Sequence, residues 1–177
     1  MRRLLDWICD AAAYVAASFI LVIFLLMIAQ SAMRELGLPT GGINDVVAWL
    51  MAAAFFLAMA HTFRRGDFVR VTLLLDKLSS RMRRMFEFGT LAVAAVFVAY
   101  LAFWAVRYAY QSWQFGDMPT GQVALPLWIP QLSFGFGAIL LLAAVVDELI
   151  AMLRGEQPSY IRAVQERHAR GDYSEDF

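Results

Sequence analysis

The sequence has 177 residues, of which 61% are hydrophobic and 17% are charged, and its 15 Lys and Arg residues balance its 15 Asp and Glu residues. A soluble domain has about half apolar and about a quarter charged residues, so this composition predicts an integral membrane protein. A net charge of zero gives no sign of a nucleic-acid partner. The lone cysteine, Cys9, excludes an internal disulfide and a thiolate metal cage, and we expect it on a helix surface.

The first apolar stretch, residues 11–33, contains no charged residue. About 20 residues at ~1.5 Å each are enough to cross a hydrocarbon core about 30 Å thick. The stretch is longer than the apolar region of about 7–15 residues that is usual for a cleaved signal peptide. It therefore predicts a retained first transmembrane helix, which ends at a turn containing Gly and Pro over residues 34–42.

Three further apolar stretches predict helices over about 45–63, 88–108 and 128–146. Each is uncharged in its centre. The predicted fold class is therefore all-α, an integral membrane domain of four transmembrane helices over residues 1–154. The polar tail, residues 155–177, shows no sign of a second folded domain.

The positive charges are divided unevenly between the two sides of the predicted domain. All but two of the 15 Lys and Arg residues fall at the N-terminus, in the loop after the second helix or in the tail. Short cytoplasmic loops hold an excess of Lys and Arg, so both termini and the second loop are predicted to be cytoplasmic. The two exceptions, Arg34 and Arg107, are then placed on the outer side, where we expect Arg107 and Asp117 at or beyond the membrane interface.

The second loop has the pattern of an amphipathic helix over about 69–85. Most of its apolar residues fall on one stripe, with Val69 and Leu73 outside it, and its basic residues project elsewhere, which is typical of a helix lying in the membrane interface. Contact with lipid headgroups and docking against a partner's helices both fit this pattern. The stripe comprises Val71, Leu74, Leu75, Leu78, Met82 and Met85.

Few side chains could carry catalysis or hold a cofactor. His61 could ligate a haem only with a second histidine at the same depth, and His168 is in the tail, so we expect His61 to make a hydrogen bond at the interface. Asp147 and Glu148 follow the fourth apolar stretch, where carboxylates reach water or could pair with Arg154. The sequence therefore predicts neither an enzyme nor a resident cofactor or metal.

Two segments resemble a known family, the small membrane (Q) subunit of tripartite ATP-independent periplasmic (TRAP) transporters, DctQ-type. The first runs Gly66-Asp67-Phe68-Val69-Arg70-Val71 towards the Arg81-Met82-Arg83-Arg84 cluster. The second runs Ala124-Leu125-Pro126-Leu127-Trp128-Ile129-Pro130-Gln131. Their order and spacing and the four-helix layout agree with the family over nearly the whole chain. Thr72 departs from it, because an acidic residue would be expected there.

The resemblance implies a non-catalytic role in secondary, ion-coupled transport. The partners it implies are a large many-helix membrane subunit that binds substrate and the coupling sodium, a periplasmic substrate-binding protein, and lipid. The implied substrate is a carboxylate, taken up by symport across the bacterial cell inner membrane. This chain would act as a scaffold subunit, with its interfacial helix bracing the large subunit.

Three groups of residues are then predicted to matter. The cytoplasmic loop and its contact with lipid or the large subunit would depend on Arg64, Arg65, Asp67, Arg70, Leu74 and Leu78. The start of the fourth helix on the outer side would depend on Pro126, Trp128 and Pro130, because proline costs little in a first helical turn. Exposed polar residues on the outer side could contact the binding protein: Arg34, Glu35, Gln114 and Asp117.

Two other classes of protein remain open at this point. One is a membrane anchor subunit of a redox or other enzyme complex, which cofactor spectra of the purified complex would reveal. The other is an independent small carrier or channel that works as a homo-oligomer, which a transport assay on the isolated chain would reveal.

Overall fold

The structure, a computed structural model, describes residues 2–66 and 80–155. Four helices form this part of the chain: α1 (Arg2–Glu35), α2 (Ile43–Arg65), α3 (Ser80–Phe115) and α4 (Trp128–Leu153). All four are long and apolar enough to cross a membrane, and no strand occurs in the described ranges. The prediction of an all-α membrane protein with four spans is confirmed.

Consecutive helices run in opposite directions, so each end of the molecule collects four helix termini. The proximal end, as we name it, holds the starts of α1 and α3 and the ends of α2 and α4. The distal end holds the opposite termini, together with the connections over residues 36–42 and 116–127.

Helices α1 and α3 are longer than the sequence predicted. Helix α1 begins at Arg2 instead of residue 11, and α3 covers Ser80–Phe115 instead of residues 88–108. The sequence estimate covered only the apolar stretch needed to cross lipid, whereas both helices continue into the polar and charged residues beyond it. Residues 80–85, predicted to end a separate interfacial helix, already belong to α3. The rest of that predicted helix and the tail beyond Gly155 lie outside the described residues.

The helices pack in the order α1, α2, α4, α3. Helix α2 packs against both α1 and α4, and α4 packs against both α2 and α3, while α1 and α4 touch only slightly. Helix α4 therefore lies in the interior of the row and contributes many of the buried side chains, whereas α1 and α3 form its two edges.

Small residues allow the close approach of α2 and α4. A Cβ atom added at Gly137 would lie 2.5 Å from the carbonyl oxygen of Phe56, so the two backbones are almost in contact there. Phe134 lies one turn away and meets the ring of Phe56 edge to face, with centroids 4.1 Å apart. Because lipid tails are as apolar as the core, such tight packing replaces the hydrophobic effect as the main attraction between membrane helices.

Helix α1 ends in a Schellman motif at the distal end. The amide of Gly37 donates to the carbonyl of Arg34, and the amide of Leu38 donates to the carbonyl of Met33 at 2.9 Å. Gly37 has φ 68°, a left-handed conformation in which a residue with a side chain is strained. The motif turns the chain towards α2 within a few residues.

Candidate functional site

The proximal end holds a group of charged side chains that lies between helices and not in a loop. Helices α1, α2 and α4 all contribute to it. We call this group the proximal cluster, and its members are Asp6, Asp10, His61, Arg64, Arg65 and Asp147.

Arg64 is the centre of the proximal cluster. Its Nε donates to Oδ1 of Asp6 on α1 at 2.7 Å, and its Nη1 donates to Oδ2 of Asp147 on α4 at 3.1 Å. Arg64 is only 7% exposed, whereas the Asp6 side chain is 52% exposed and the Asp147 side chain is 24% exposed. A planar guanidinium can bond two carboxylates at once, so Arg64 joins two helices that otherwise barely touch.

His61 and Arg65 form the second part of the cluster. On α2, His61 lies one turn before Arg64 and Arg65 follows it directly. His61 Nδ1 lies 2.9 Å from Oδ1 of Asp10, and Arg65 Nη2 lies 3.9 Å from the same oxygen. The sequence prediction of a hydrogen bond for His61 is confirmed, and the partner is a carboxylate on α1. Asp10 thus ties α1 to α2 a turn deeper than Asp6 does.

Two further ionisable groups near the cluster are more buried than the sequence predicted. Cys9 was expected on a helix surface but is 1% exposed, because it faces α2. Glu148 was expected to reach water or to pair with Arg154 but is completely buried. Asp147 was expected to reach water or Arg154, and its bond to Arg64 was missed.

A cavity of about 190 Å³ opens beside the cluster, lined by α1 on one side and α2 on the other. The α1 side carries two carboxylates and the Cys9 thiol, and the α2 side carries an imidazole and two guanidinium groups. Within residues 2–66 and 80–155, no three His, Cys, Asp or Glu side chains are arranged to hold a metal ion. The groups of this site are arranged to pair with one another, which suits a role in holding helices together.

A second polar assembly covers the distal end. The Asp45 carboxylate, in the first turn of α2, accepts a hydrogen bond from the backbone amide of Gln122 at 2.9 Å. Gly121 lies so close that a Cβ atom there would overlap the same carboxylate. On the other side, Gln30 Nε2 of α1 donates to Oδ1 of Asn44 at 3.0 Å. The 116–127 connection therefore folds over the start of α2.

The predicted start of the fourth helix agrees with the observed first turn of α4. Trp128 is the first residue of α4, and Pro126 and Pro130 flank it. The carbonyl of Pro126 accepts a hydrogen bond from the Ile129 amide at 3.1 Å. Pro130 lacks an amide hydrogen, but the first amides of a helix have no partner within it, so the proline is accommodated.

The four predicted outer contacts all lie at the distal end, in two places. Arg34 and Glu35 are exposed in the last turn of α1, at one edge of the row. Gln114 is exposed in the last turn of α3 at the other edge, and exposed Asp117 follows two residues after that helix ends. Their separation by two intervening helices means that they form two patches and not one.

Of the six residues predicted to organise the cytoplasmic loop, the structure describes two. Arg64 and Arg65 lie in the last turn of α2 and not in a loop. The other four lie outside the described residues: Asp67, Arg70, Leu74 and Leu78.

Sequence reasoning overlooked Asp6 and Asp10 because it began the first helix at residue 11. A signal was available, since two carboxylates four residues apart share one helix face. His61 and Arg65 repeat this spacing on α2, and Arg64 lies beside Arg65. Complementary faces at the same end of consecutive antiparallel helices favour pairing, as observed.

The fold and the two polar assemblies define a class: a multi-pass membrane protein whose helices are joined by ion pairs at one end and by a folded connection at the other. Residues 23–155 match the family described as tripartite ATP-independent periplasmic transporters, DctQ component. Because this match covers most of the chain, the protein belongs to that family and is a small membrane subunit of a TRAP transporter. No curated protein matches the chain.

Proposed function

We propose that this chain is the non-catalytic scaffold of a sodium-coupled TRAP symporter that takes up a carboxylate. In this proposal a large many-helix subunit binds substrate and sodium and moves the substrate, and a periplasmic binding protein delivers it. The observation that carries the proposal is the family match over residues 23–155. The proximal cluster supports it, because its carboxylates and guanidinium groups bond one another between helices, which suits a role in holding the bundle together.

The proposal orients the proximal end towards the cytoplasm of a bacterial cell, with the protein in the inner membrane. Arg64, Arg65, Arg84 and Arg154 lie at that end, and Arg34 lies at the distal end. An excess of Arg and Lys marks the cytoplasmic side of short-looped membrane proteins. The distal connections would then face the periplasm.

Orientation can be measured with single cysteines in a chain that carries Cys9→Ala. A cysteine at Leu36, which is 73% exposed at the distal end, should react in intact cells with a maleimide that cannot cross the inner membrane. A cysteine at Arg154, which is exposed at the proximal end, should react only after the cells are opened. The reverse pattern would contradict the proposed orientation.

The scaffold role is tested by purifying the tagged chain from its native membrane in a mild detergent. We expect a large polytopic membrane protein to copurify with it. Reconstituted uptake should need both membrane subunits, the binding protein and a sodium gradient. Recovery of the chain with redox enzymes would favour an anchor subunit instead, and transport by the chain alone would favour an independent carrier.

Contact with the binding protein is proposed at the two distal patches. Charge reversal at Arg34 and Glu35, or at Asp117 with Gln114→Lys, should lower uptake at limiting binding protein while leaving the purified membrane complex intact. Electrostatic contacts of this kind act mainly on the rate of association, so excess binding protein should restore uptake. Uptake equal to wild type at every concentration would reject these patches as a docking surface.

A further inference from the structure

The cavity beside the proximal cluster has two walls of opposite chemical character. Its α1 wall carries the carboxylates of Asp6 and Asp10, and its α2 wall carries the side chains of His61, Arg64 and Arg65. Its volume of about 190 Å³ corresponds to about six waters at ~30 Å³ each. A small polar group with both a positive and a negative end would fit between these walls.

The carboxylates of the α1 wall have unused capacity to accept hydrogen bonds. Asp6 contacts Arg64 through Oδ1, and Asp10 contacts His61 and Arg65 through its own Oδ1. Within residues 2–66 and 80–155, neither Oδ2 has a partner. An ionised carboxylate has about four acceptor sites on its two oxygens, so this wall can accept further N–H donors.

The α2 wall offers donors to an anion. The Arg65 side chain is 61% exposed, and its Nη2 lies 3.9 Å from Oδ1 of Asp10, which is longer than a hydrogen bond. A guanidinium holds its five N–H donors in a fork that matches the oxygens of a phosphate. An anion that enters the cavity therefore meets an exposed guanidinium opposite the carboxylates.

The length of α2 sets the depth of the cavity in the membrane. The helix has 23 residues, which at ~1.5 Å each make about 34 Å. A hydrocarbon core is about 30 Å thick, so the last turn of α2, with Arg64 and Arg65, lies at the edge of the core. Trp7, on α1 beside Asp6, is 70% exposed, and Trp is enriched at this level of a membrane. The cavity therefore lies among lipid headgroups.

An apolar surface continues from the cavity towards the middle of the membrane. On α1, Asp10, Tyr14, Leu21 and Leu25 fall within about 60° of one another at ~100° per residue. Tyr14 is 79% exposed, Leu21 59% and Leu25 56%. The same side of α1 thus changes from charged at headgroup level to apolar within the core, which is the order of polarity along a phospholipid.

We propose that the proximal cavity binds the headgroup of a phospholipid that carries a primary ammonium beside its phosphate, as phosphatidylethanolamine does. The ammonium donates to Oδ2 of Asp6 and Asp10, the phosphate accepts from Arg65, and the acyl chains lie along Tyr14 and Leu21. A lone cation would complement only the α1 wall, and a lone phosphate would complement only the α2 wall. The inference goes beyond the scaffold role and does not depend on it.

The first test measures which lipid the wild-type protein retains. The tagged full chain is purified with its native partners in a mild detergent and examined by native mass spectrometry after addition of equal amounts of dioleoyl phosphatidylethanolamine, phosphatidylcholine and phosphatidylglycerol. All three carry a phosphate and the same acyl chains, but only the first carries N–H donors. Charge-assisted hydrogen bonds to the carboxylates should favour phosphatidylethanolamine about three- to tenfold over each of the others.

The second test removes the negative charge of each carboxylate without removing its oxygen acceptor. Asp10→Asn can still accept from His61, and Asp6→Asn can still accept from Arg64, so the two variants keep the helix contacts and provide independent readings. Each should lower the ratio of retained phosphatidylethanolamine to phosphatidylcholine towards one. Glu35→Gln is the matched control, because Glu35 is an exposed carboxylate at the other end of α1, and it should keep the wild-type ratio.

A photo-crosslinking residue locates the bound lipid. At Trp7 it should capture more added phosphatidylethanolamine than phosphatidylcholine. At Leu153, which is 67% exposed at the proximal end of α4, it should capture the two lipids equally.

Three results would overturn the inference. Equal retention of the three lipids by the wild type would show that the ammonium is not recognised. A preference that persists in both Asp6→Asn and Asp10→Asn would place the lipid elsewhere. Capture of the large subunit in place of lipid at Trp7 would show that protein covers the cavity, which would support the scaffold role while rejecting the lipid site.

Discussion

Replacing Arg64 with alanine should destabilise the bundle more than replacing its exposed neighbour Arg65. Arg64 bonds Asp6 on α1 and Asp147 on α4 at the same time. Without the guanidinium, both carboxylates lose their common partner, and α1 loses its indirect tie to α4.

The size of the effect follows from the burial of the three groups. Removing one member of a buried ion pair costs about 3–5 kcal/mol, because the other charge is left uncompensated. The Asp6 side chain is 52% exposed and can regain water, whereas Asp147 is 24% exposed and regains less. Discounting the exposed pair towards the 0–1 kcal/mol typical of surface pairs, we expect a loss of about 2–3 kcal/mol.

The free energy of unfolding can be measured in mixed micelles by titration with a denaturing detergent. Arg65→Ala is the matched control, since Arg65 is adjacent, 61% exposed and 3.9 Å from Asp10, and it should cost at most about 1 kcal/mol. A triple variant with Arg64→Met, Asp6→Asn and Asp147→Asn removes every uncompensated charge and should recover much of the loss. Equal effects of Arg64→Ala and Arg65→Ala would refute this reasoning.

Two further predictions concern the packing of α2. Gly137→Ala should lower the free energy of unfolding by about 1–3 kcal/mol, because its Cβ would meet the Phe56 carbonyl and force α2 away from α4. The control is Gly89→Ala, which has nothing within 4 Å and should be neutral or stabilising by up to ~1 kcal/mol. Similar losses for both variants would contradict the close approach of the two helices. Asp45→Ala should speed hydrogen exchange at the Gln122 amide, which the carboxylate now holds, and unchanged exchange there would mean that this bond does not hold the distal connection.

The number and class of the helices could be predicted because lipid imposes a simple constraint. An uncharged run of about 20 residues has to span, and backbone groups in lipid have to be paired within a helix. The same constraint does not apply outside the hydrocarbon core, where α1 begins at Arg2 and α3 ends at Phe115. In α1 the added turns carry Asp6 and Asp10, which pair with side chains of α2, and hydropathy does not record such pairing.

The proximal cluster could be predicted only in part, for a related reason. Arg64 and His61 were noticed as polar residues at a helix end, but their partners Asp6 and Asp10 are about 55 positions away in the chain. Pairing them requires knowing that α1 and α2 lie side by side with their proximal ends level. Asp147 requires the further knowledge that α4, and not α3, packs against α2.

Arg64 and Arg107 show why the structure adds information about partners that the sequence lacks. Both are arginines within long apolar helices, and either could be read as a residue at the membrane surface. Arg64 is 7% exposed and bonds two carboxylates of its own chain, so its charge is paired within the chain and holds α1, α2 and α4 together. Arg107 lies on the outer edge of the row with an aromatic ring beneath it. The same residue type therefore joins helices in one place and lies exposed over Trp104 in the other, a difference that hydropathy does not record.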